Sequence, residues 1–540
     1  MSNNDKKENK PRAINEFDAV VVGAGFAGMY MLYRLRSMGL SVLVLEAAGD
    51  VGGTWYWNRY PGARCDVESM QYSYQFSEAL QQEWEWTERY ATQPEILRYV
   101  DHVAERFDLR RDIKFNTRVV SATFDDDKSS WVVKTADELF LASYCIMATG
   151  CLSAANKPNF EGQDDFKGEI YHTGNWPHEG VNFNGKRVAV IGTGSSAIQS
   201  IPVIAQQAKQ LTIFQRTANY AIPAHNRPLD PKVVKGIKAE YSAFRAQAKL
   251  TPTGNFFDIG EASAMAVSEE EREREYETRW EGGGLQFLAA YADTMFDAEA
   301  NKAVADFVRN KIRSIVIDPQ VAELLVPKNI IGCKRLCVDT DYFATYNKDH
   351  VNLVDISTTP IDFFTENGLS VNGNTYEADI IVSATGFDAM TGALSKIDIS
   401  GSNGMSLKEK WNDGPQAYLG LALAGFPNMF IITGPGSPSV ISNMLPAIEQ
   451  HVNWITNCIG YMKEKGFRRI EAESEAEKLW VAHVSEVAGM SLRSTCNSWY
   501  VGANVPGKPR VYMPYIGGVP AYAKKCRQVV EDGYDGFALI

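Results

Sequence analysis

Phe17-Asp-Ala-Val-Val-Val-Gly23-Ala-Gly25-Phe-Ala-Gly28, followed after Gly39 by Ser41-Val-Leu-Val-Leu-Glu46, is the stretch that decides the fold. The β-branched run before Gly23 reads as a strand buried on both faces. Met29, Leu32, Leu35 and Met38 then recur near the helical period, with Gly39 as the stop. Ser41–Leu45 reads as a second strand ending in an acid. Strand, G-x-G-x-x-G, helix, strand and acid in this register form a dinucleotide cradle. Gly23 permits the tight turn, Gly25 lets a pyrophosphate approach the backbone, and Gly28 lets helix and strand touch. The helix N-terminus supplies N–H donors to the phosphates, and Glu46 accepts from the ribose hydroxyls.

The pattern recurs. Lys186-Arg-Val-Ala-Val-Ile191 reads as a strand, Gly192-Thr-Gly194-Ser195-Ser196-Ala197 as the turn, and Gln210-Leu-Thr-Ile-Phe214 as the next strand. Its end carries Gln215-Arg216-Thr217 in place of an acid. A carboxylate there would repel a 2′-phosphate, whereas a guanidinium grips one with two hydrogen bonds. Alternatively, Arg216 is a solvated residue at a strand end. The first cradle therefore suits a free 2′-hydroxyl and the second a 2′-phosphate, and the economical pairing is FAD in the first and NADPH in the second. Two strands, Tyr144–Met147 and Asp379–Ser383, each run into Ala-Thr-Gly, at Ala148–Gly150 and Ala384–Gly386.

Outside the cradles the chain is ordinary for a large soluble protein. It has 540 residues, 45% hydrophobic and 22% charged, more than one domain needs. Its 54 Lys and Arg against 66 Asp and Glu give a net charge of −12, which argues against a nucleic-acid or anionic-membrane binder. The apolar stretch Ala417–Ala424 is ended by Gly425 and Pro427, far short of a membrane span. The polar N-terminus lacks the hydrophobic core of a secretory signal, and residues 1–15 are expected to form a flexible tail. Eight cysteines without C-x-x-C or zinc spacing predict no metal site and fit a reducing, cytoplasmic setting. Cys333 and Cys337 are read as packing thiols. A disulfide reductase would need a cysteine pair soon after Glu46, and only Cys65 stands there.

After Glu46 comes Gly52-Gly53-Thr54-Trp55-Tyr-Trp57-Asn-Arg59-Tyr60-Pro-Gly-Ala-Arg64-Cys-Asp66. Glycines allow backbone to lie against a flat ring, aromatics exclude water, and the charges in so apolar a loop need partners. A purely structural aromatic loop with a surface ion pair is the other reading. Between the cradles stands Phe166-Lys-Gly168-Glu-Ile-Tyr-His172-Thr-Gly-Asn-Trp176-Pro177. This F-x-G-x-x-x-H-x-x-x-W-P pattern closely resembles the signature of type I Baeyer–Villiger monooxygenases, and GGTWYWNRYPGARCD matches a second signature of that family. The resemblance covers essentially the whole chain after the tail and is nearest to the phenylacetone- and steroid-oxidising branch.

The resemblance implies an α/β fold with two Rossmann-like domains and a helical insertion. The FAD domain would comprise 16–150 and 387–540, the NADP domain 151–224 and 332–386, and the insertion 225–331, where Glu269–Glu275 forms a solvated helix face. Ile441, Leu445, Ile448, Val452, Ile455, Ile459 and Met462 form the apolar stripe of a C-terminal helix ended by Gly466. Its N-terminus, with Met444 counted among the cofactor contacts, would favour negative charge on reduced flavin.

The implied activity inserts one oxygen from O2 beside a ketone carbonyl, giving an ester or lactone, through a C4a-peroxyflavin anion. The expected substrates are bulky, aryl or cyclic ketones, with sulfoxidation as a side activity. The alternatives are an S- or N-oxygenating flavin monooxygenase and an NADPH oxidase or sensor. The matching motifs imply Arg335 as the cation beside the peroxide, with Asp66 as its partner. Lys334, Arg216 and Thr217 would hold the 2′-phosphate, and Trp499 would close over the nicotinamide. Gly53, Thr54 and Trp55 would border the flavin, and Ser439, Val440 and Ile441 would line the substrate pocket. His172 is read as a hinge or domain-coupling residue, or else as a structural histidine. A monomer or weak homo-oligomer is expected.

Overall fold

The computed structural model describes residues 14–540. Most of the expected tail, residues 1–13, lies outside the described residues, but Ile14 and Asn15 already pair with Leu139 and Phe140, so the first strand starts ahead of position 16.

The first cradle sits in an eight-stranded sheet. Strand β1 (Ile14–Val22) leads through helix α1 (Phe26–Ser37) to β2 (Val42–Leu45), which pairs in parallel with Val42 opposite Ala19 and Leu45 opposite Val22. Ala19, Val20 and Val21 are fully buried, as a strand covered on both faces must be. On the other side of β1 lies the strand Leu139–Met147, also parallel. Beyond it come Ser130–Thr135, Val119–Asp125 and Asp398–Ser400, while Ile113–Lys114 flanks β2 and Met429–Ile431 pairs with the end of Leu139–Met147.

The second cradle sits in a separate five-stranded, all-parallel sheet. Its order is Val351–Asp355, Gln210–Gln215, Arg187–Ile191, Ile380–Ser383, Glu169–His172. The chain thus leaves the first sheet at Met147, builds the second, and returns at Asp398. The two crossings, 150–156 and 384–390, run side by side: Asn156 N–H donates to Gly386 O at 2.9 Å, Asp388 N–H to Ala154 O at 2.8 Å, and Met390 N–H to Cys151 O at 2.9 Å.

Between Ala221–Pro223 and Cys337–Asp339, which pair in parallel, the chain is mainly helical. Helix α2 (Glu269–Gly282) carries the acidic run on its first turns, where Ser268 caps Glu271 N–H and negative charge suits the helix dipole. Its inner face, Tyr276 and Trp280, packs with Phe287, Phe307 and Val304 and joins the core under the second sheet.

The C-terminal helix α3 spans Met444–Lys465, buries Leu445, Ile448, Val452, Ile455, Ile459 and Met462, and ends at Gly466 in the left-handed conformation. It lies along α1, where Tyr30 OH donates to Asn453 Oδ1 at 2.9 Å. Ile441 is not part of it. Asn443 caps the helix through Leu445 N–H, and Ser439–Ile441 forms a separate short 3-10 turn. None of the described helices is long and apolar enough to cross a membrane.

Candidate active site

The two cradles are built alike. Gly23 has φ +105° and Gly192 φ +109°, and a Cβ on either would lie 2.6 Å from Ala148 O or 2.5 Å from Ala384 O. Each cradle's first glycine therefore rests on the alanine carbonyl of one Ala-Thr-Gly strand, which gives that repeated tripeptide a physical role. In the first cradle a Cβ on Gly28 would overlap Gly23 O, the helix–strand contact expected of it. Glu46 is buried, and its two oxygens accept the Ala24 and Ala48 N–H groups at 2.6 and 2.7 Å. These bonds fix the carboxylate while leaving each oxygen a further lone pair. Gly194 is the reverse of Gly23: a Cβ there meets nothing within 4 Å, so the second cradle has open room for a phosphate.

Both cradles open into one cavity of about 2160 Å³. Gly23, Gly25, Glu46, Gly53, Thr54, Trp55 and Asp66 line it from the first sheet's side, and Gly192, Gly194, Ser195, Ser196, Arg216, Thr217, Lys334 and Arg335 from the second's. Val440, Met444 and Trp499 complete the wall. Trp55 is locked by its indole N–H to Tyr72 OH at 3.0 Å, and the loop behind it docks on the second cradle's helix, Ser195–Ile204. There Tyr60 OH donates to Gln199 Oε1 at 2.9 Å and Gln199 Nε2 to Arg64 O at 3.0 Å. The loop's other charges are paired as their surroundings require. Arg64 meets Glu88 at 3.2 Å, and Arg59 donates to Tyr56 O at 2.8 Å with its guanidinium over the Tyr56 ring.

Between the cradles Arg335 meets Asp66 in a two-pronged ion pair, Nε to Oδ2 at 2.5 Å and Nη2 to Oδ1 at 2.9 Å. Burial opposes the charge on Arg335, but the Asp66 carboxylate outweighs it and holds the guanidinium's pKa above its ordinary value. Arg335 Nη1 donates to Val440 O at 2.6 Å. Of the three residues expected to line the substrate pocket, only Val440 reaches the cavity. Ser439 adopts φ +41° and turns its hydroxyl inward to Cys151 Sγ at 3.0 Å and Thr433 O at 3.2 Å. Ile441 packs partly buried beside Cys151, Tyr500 and Met513. The constrained turn spends these two side chains on holding the Val440 carbonyl toward Arg335.

Arg216 and Lys334 converge without a counter-ion. Among the described residues neither forms an ion pair, and burial, aided by the Arg216 charge, holds the Lys334 ammonium's pKa below the usual lysine range. Two neighbouring unpaired cations at an open glycine turn are what a 2′-phosphate requires. Trp499 stands half-buried at the rim, its ring 4.1 Å from that of Tyr500.

Of the F-x-G-x-x-x-H-x-x-x-W-P segment, Gly174 and Asn175 reach the cavity, whereas the signature residues Phe166, Gly168, His172, Trp176 and Pro177 stand outside it. Phe166 and Trp176 are buried in the cores flanking the second sheet, a Cβ on Gly168 would press on Asp379 O and the Phe166 ring, and Pro177 borders a small surface pocket. His172 is buried. Its Nδ1 accepts Gly174 N–H at 3.0 Å, so the proton sits on Nε2, which lies 3.2 Å from Asn156 O and 3.1 Å from Thr385 Oγ1. Burial lowers its pKa, keeping the ring neutral. Asn156 and Thr385 belong to the two crossings, so His172 clasps the junction between the sheets. Asn156 also donates to Asn504 O at 3.0 Å, tying this junction to the segment after Trp499. Gln199 and Asn156 carry no local sequence signal, whereas Thr385 is the threonine of the second Ala-Thr-Gly. Cys333 and Cys337 are both buried, as packing thiols should be; Cys333 also borders the cavity, and Cys337 Sγ lies 3.2 Å from Ser195 Oγ.

Two nucleotide cradles sharing a cavity, with a braced cation between them, define a nicotinamide- and flavin-dependent oxidoreductase. The pyridine nucleotide-disulphide oxidoreductase family matches residues 20–279. That span covers both glycine turns, and all eight cysteines are free. The chain is 43% identical to a Baeyer-Villiger monooxygenase of Pseudooceanicola batsensis over 98% of both chains. It is 41% identical to the phenazine N-monooxygenase PhzNO1 of Lysobacter antibioticus over 97% of both. Among solved structures, oxidized steroid monooxygenase bound to NADP superposes with a TM-score of 0.93 at 52% identity, over 97% of this chain and 100% of that one. The OTEMO complex with FAD and NADP superposes with a TM-score of 0.94 at 40% identity, over 98% and 100%. The chain belongs to the Baeyer–Villiger monooxygenases. It is an FAD- and NADPH-dependent enzyme that uses O2 to place an oxygen beside a ketone carbonyl.

Proposed function

We propose that the eight-stranded sheet with the C-terminal segment holds FAD, the five-stranded sheet holds NADPH, and the helical stretch between Pro223 and Cys337 braces the second. The division into 16–150 with 387–540, 151–224 with 332–386, and 225–331 is supported by the two crossings and by the parallel pair that closes the insertion. Bound FAD supplies the reactive oxygen and NADPH the electrons.

In this reading Gly23, Gly25 and Glu46 hold the flavin nucleotide, and Gly194, Ser195, Ser196, Arg216, Thr217 and Lys334 hold the nicotinamide nucleotide. Arg335 provides a permanent positive charge where negative charge develops on oxygen, and Asp66 and the Val440 carbonyl fix its direction so that nothing must reorganise during the reaction. Trp55, Tyr72 and Met444 keep water from that charge, which raises its effect. Trp499 covers the nicotinamide side. The ketone sits beside Val440, between Asp66 and Met444, where an apolar and aromatic wall favours bulky, aryl or cyclic ketones, with sulfides oxidised as a side reaction. The eight free thiols suit a reducing, cytoplasmic setting, and the enzyme acts as a monomer or weak homo-oligomer.

The observation that carries the reading is the Arg335–Asp66 pair set between two cradles of opposite ribose preference. A panel of aryl, cyclic and linear ketones with NADPH and 18O2, followed by product mass, tests it. Esters or lactones carrying one labelled oxygen are expected. Hydrogen peroxide alone with every ketone would refute it. The 41% identity to an N-monooxygenase favours N-oxygenation as the second reading, and heteroaromatic amines in the same panel decide between them.

A further inference from the structure

Arg245 is buried in the helical insertion, on the helix Tyr241–Ala248, and does not reach the cavity. Among the described residues it forms no ion pair. Its guanidinium donates to neutral groups alone: Nη1 to Gln71 O at 2.7 Å, and Nη2 to Ser73 Oγ at 2.6 Å and Tyr241 OH at 3.1 Å. It lies over the Tyr241 ring, 4.6 Å from its centre, and its Nε is buried without a hydrogen-bond partner. A buried charge with no carboxylate bonded to it costs stability that an apolar side chain of the same length would not. What this charge does achieve is a fixed grip on Gln71–Ser73.

The residue between those two, Tyr72, lines the cavity and accepts the Trp55 indole N–H at 3.0 Å. Gln71 extends the grip. Its carbonyl also accepts Asn443 Nδ2 at 2.9 Å. Its side-chain amide pairs with the Phe256 backbone, Nε2 to Phe256 O at 3.1 Å and Phe256 N–H to Oε1 at 2.5 Å. Asn443 N–H donates to Thr253 O at 2.8 Å, while Asn443 Oδ1 caps α3. Ser442 and Met444, on either side of Asn443, line the cavity. Arg245, Thr253 and Phe256 thus hold the residues next to Tyr72 and Met444, and none of the three lines the cavity itself. The insertion packs under the second sheet through Tyr276 and Trp280, and through Tyr241 and Arg245 it also backs the cavity wall on the side of the first.

We propose that Arg245 is a positioning residue for ketone selectivity. By holding Gln71–Ser73, and Asn443 through Gln71, it fixes Tyr72 and Met444 relative to each other, and so decides which face of a ketone is presented for reaction. A guanidinium suits this task, because its rigid plane aims two nitrogens at two acceptors in a set geometry, whereas an ammonium is a single point. Two enantiomers of a ketone differ only in where one substituent lies, so a small shift of either wall changes their relative rates. The effect rests on the reading that the ketone sits beside Val440, between Asp66 and Met444.

The test gives the holoenzyme a racemic α-substituted aryl ketone with NADPH and O2, and measures the ratio of the two ester enantiomers. Arg245→Met keeps the length and loses every donor. It should change the ratio by ~3- to 10-fold and raise the KM for the ketone, with the KM for NADPH as in wild type. Arg245→Lys should fall between the two. Ser73→Ala removes one acceptor and leaves the core filled, so it should shift the ratio in the same direction to a smaller extent even if Arg245→Met does not fold. A merely structural arginine predicts a lower unfolding temperature with an unchanged ratio, and that outcome in Arg245→Lys and Ser73→Ala overturns the proposal. Met444→Ala tests the placement of the ketone by itself. An unchanged ratio there refutes that placement and the proposal with it, whereas a ratio changed there alone refutes the role of Arg245.

Discussion

Arg335 and Asp66, which come from opposite sides of the cavity, meet through two parallel hydrogen bonds of 2.5 and 2.9 Å. A third donor of the same guanidinium is spent on the Val440 carbonyl at 2.6 Å. A charge anchored at three points cannot follow the substrate, and this rigidity is what makes it effective. Arg335→Ala should still allow NADPH to reduce the flavin, yet lower ester formation by ~100- to 1000-fold, about 3 kcal/mol. Arg335→Lys should not restore it, because an ammonium cannot make both bonds to Asp66. Stopped-flow flavin reduction and product analysis separate the two steps. Normal ester yield from Arg335→Ala would sink the assignment.

Arg216 and Lys334 make opposite predictions for the two nicotinamide nucleotides. Loss of either should raise the KM for NADPH ~10- to 100-fold, the cost of one charge-assisted hydrogen bond, and leave that for NADH nearly unchanged. Burial depresses the Lys334 pKa, so its charge is present at low pH and is lost as pH rises, starting below the ordinary lysine range. The KM for NADPH should therefore climb at alkaline pH while that for NADH stays flat. Parallel pH profiles for the two would remove Lys334 from the phosphate site.

The parts of this site that could be read from sequence are those whose chemistry is local. A glycine turn, the strand before it and the acid or arginine at the next strand's end lie within one unit, so Gly23, Glu46, Gly194 and Arg216 announce themselves. Arg335 and Asp66 are far apart in the chain and came from resemblance to a family pattern, not from spacing. The stripe from Leu445 to Met462 was legible, but its start was not: Ile441 has the right period, and only the Asn443 cap and the φ +41° turn at Ser439 separate it from the helix. The same turn removes Ser439 and Ile441 from the pocket. His172, Asn156 and Thr385 join segments that no local pattern relates.

Gly23, the first glycine of one turn, and Gly194, the second glycine of the other, should respond to substitution in opposite ways. Gly194→Val adds atoms to open space in an ordinary backbone conformation, so folding and flavin content should be preserved while NADPH binding falls by more than ~10-fold, through obstruction of the phosphate. Gly23→Ala meets both a positive φ and the Ala148 carbonyl at 2.6 Å, and should lose flavin and stability together. Flavin absorbance, thermal unfolding and NADPH titration distinguish them. Loss of flavin from Gly194→Val would contradict the placement of the nucleotides.

His451 lies behind the cavity wall and sets its acid limit. Its Nδ1 accepts the N–H of Thr433, a cavity-lining residue, at 2.9 Å, so Nε2–H is left to donate to Tyr522 OH at 2.9 Å, and Tyr522 in turn donates to Leu419 O at 2.5 Å. The chain of bonds requires a neutral ring, and burial lowers its pKa to about 3. The unfolded chain takes up a proton near pH 6.5 and the folded one does not, so this contribution is complete above about pH 6.5 and is lost as pH falls toward about 3. His451→Gln should be less stable than wild type by about 1–3 kcal/mol at pH 8. The gap should narrow by about 1.4 kcal/mol per unit as pH drops below about 6. Urea unfolding of both proteins between pH 8 and 5 measures it, and two parallel stability profiles would show that His451 carries no such pH dependence.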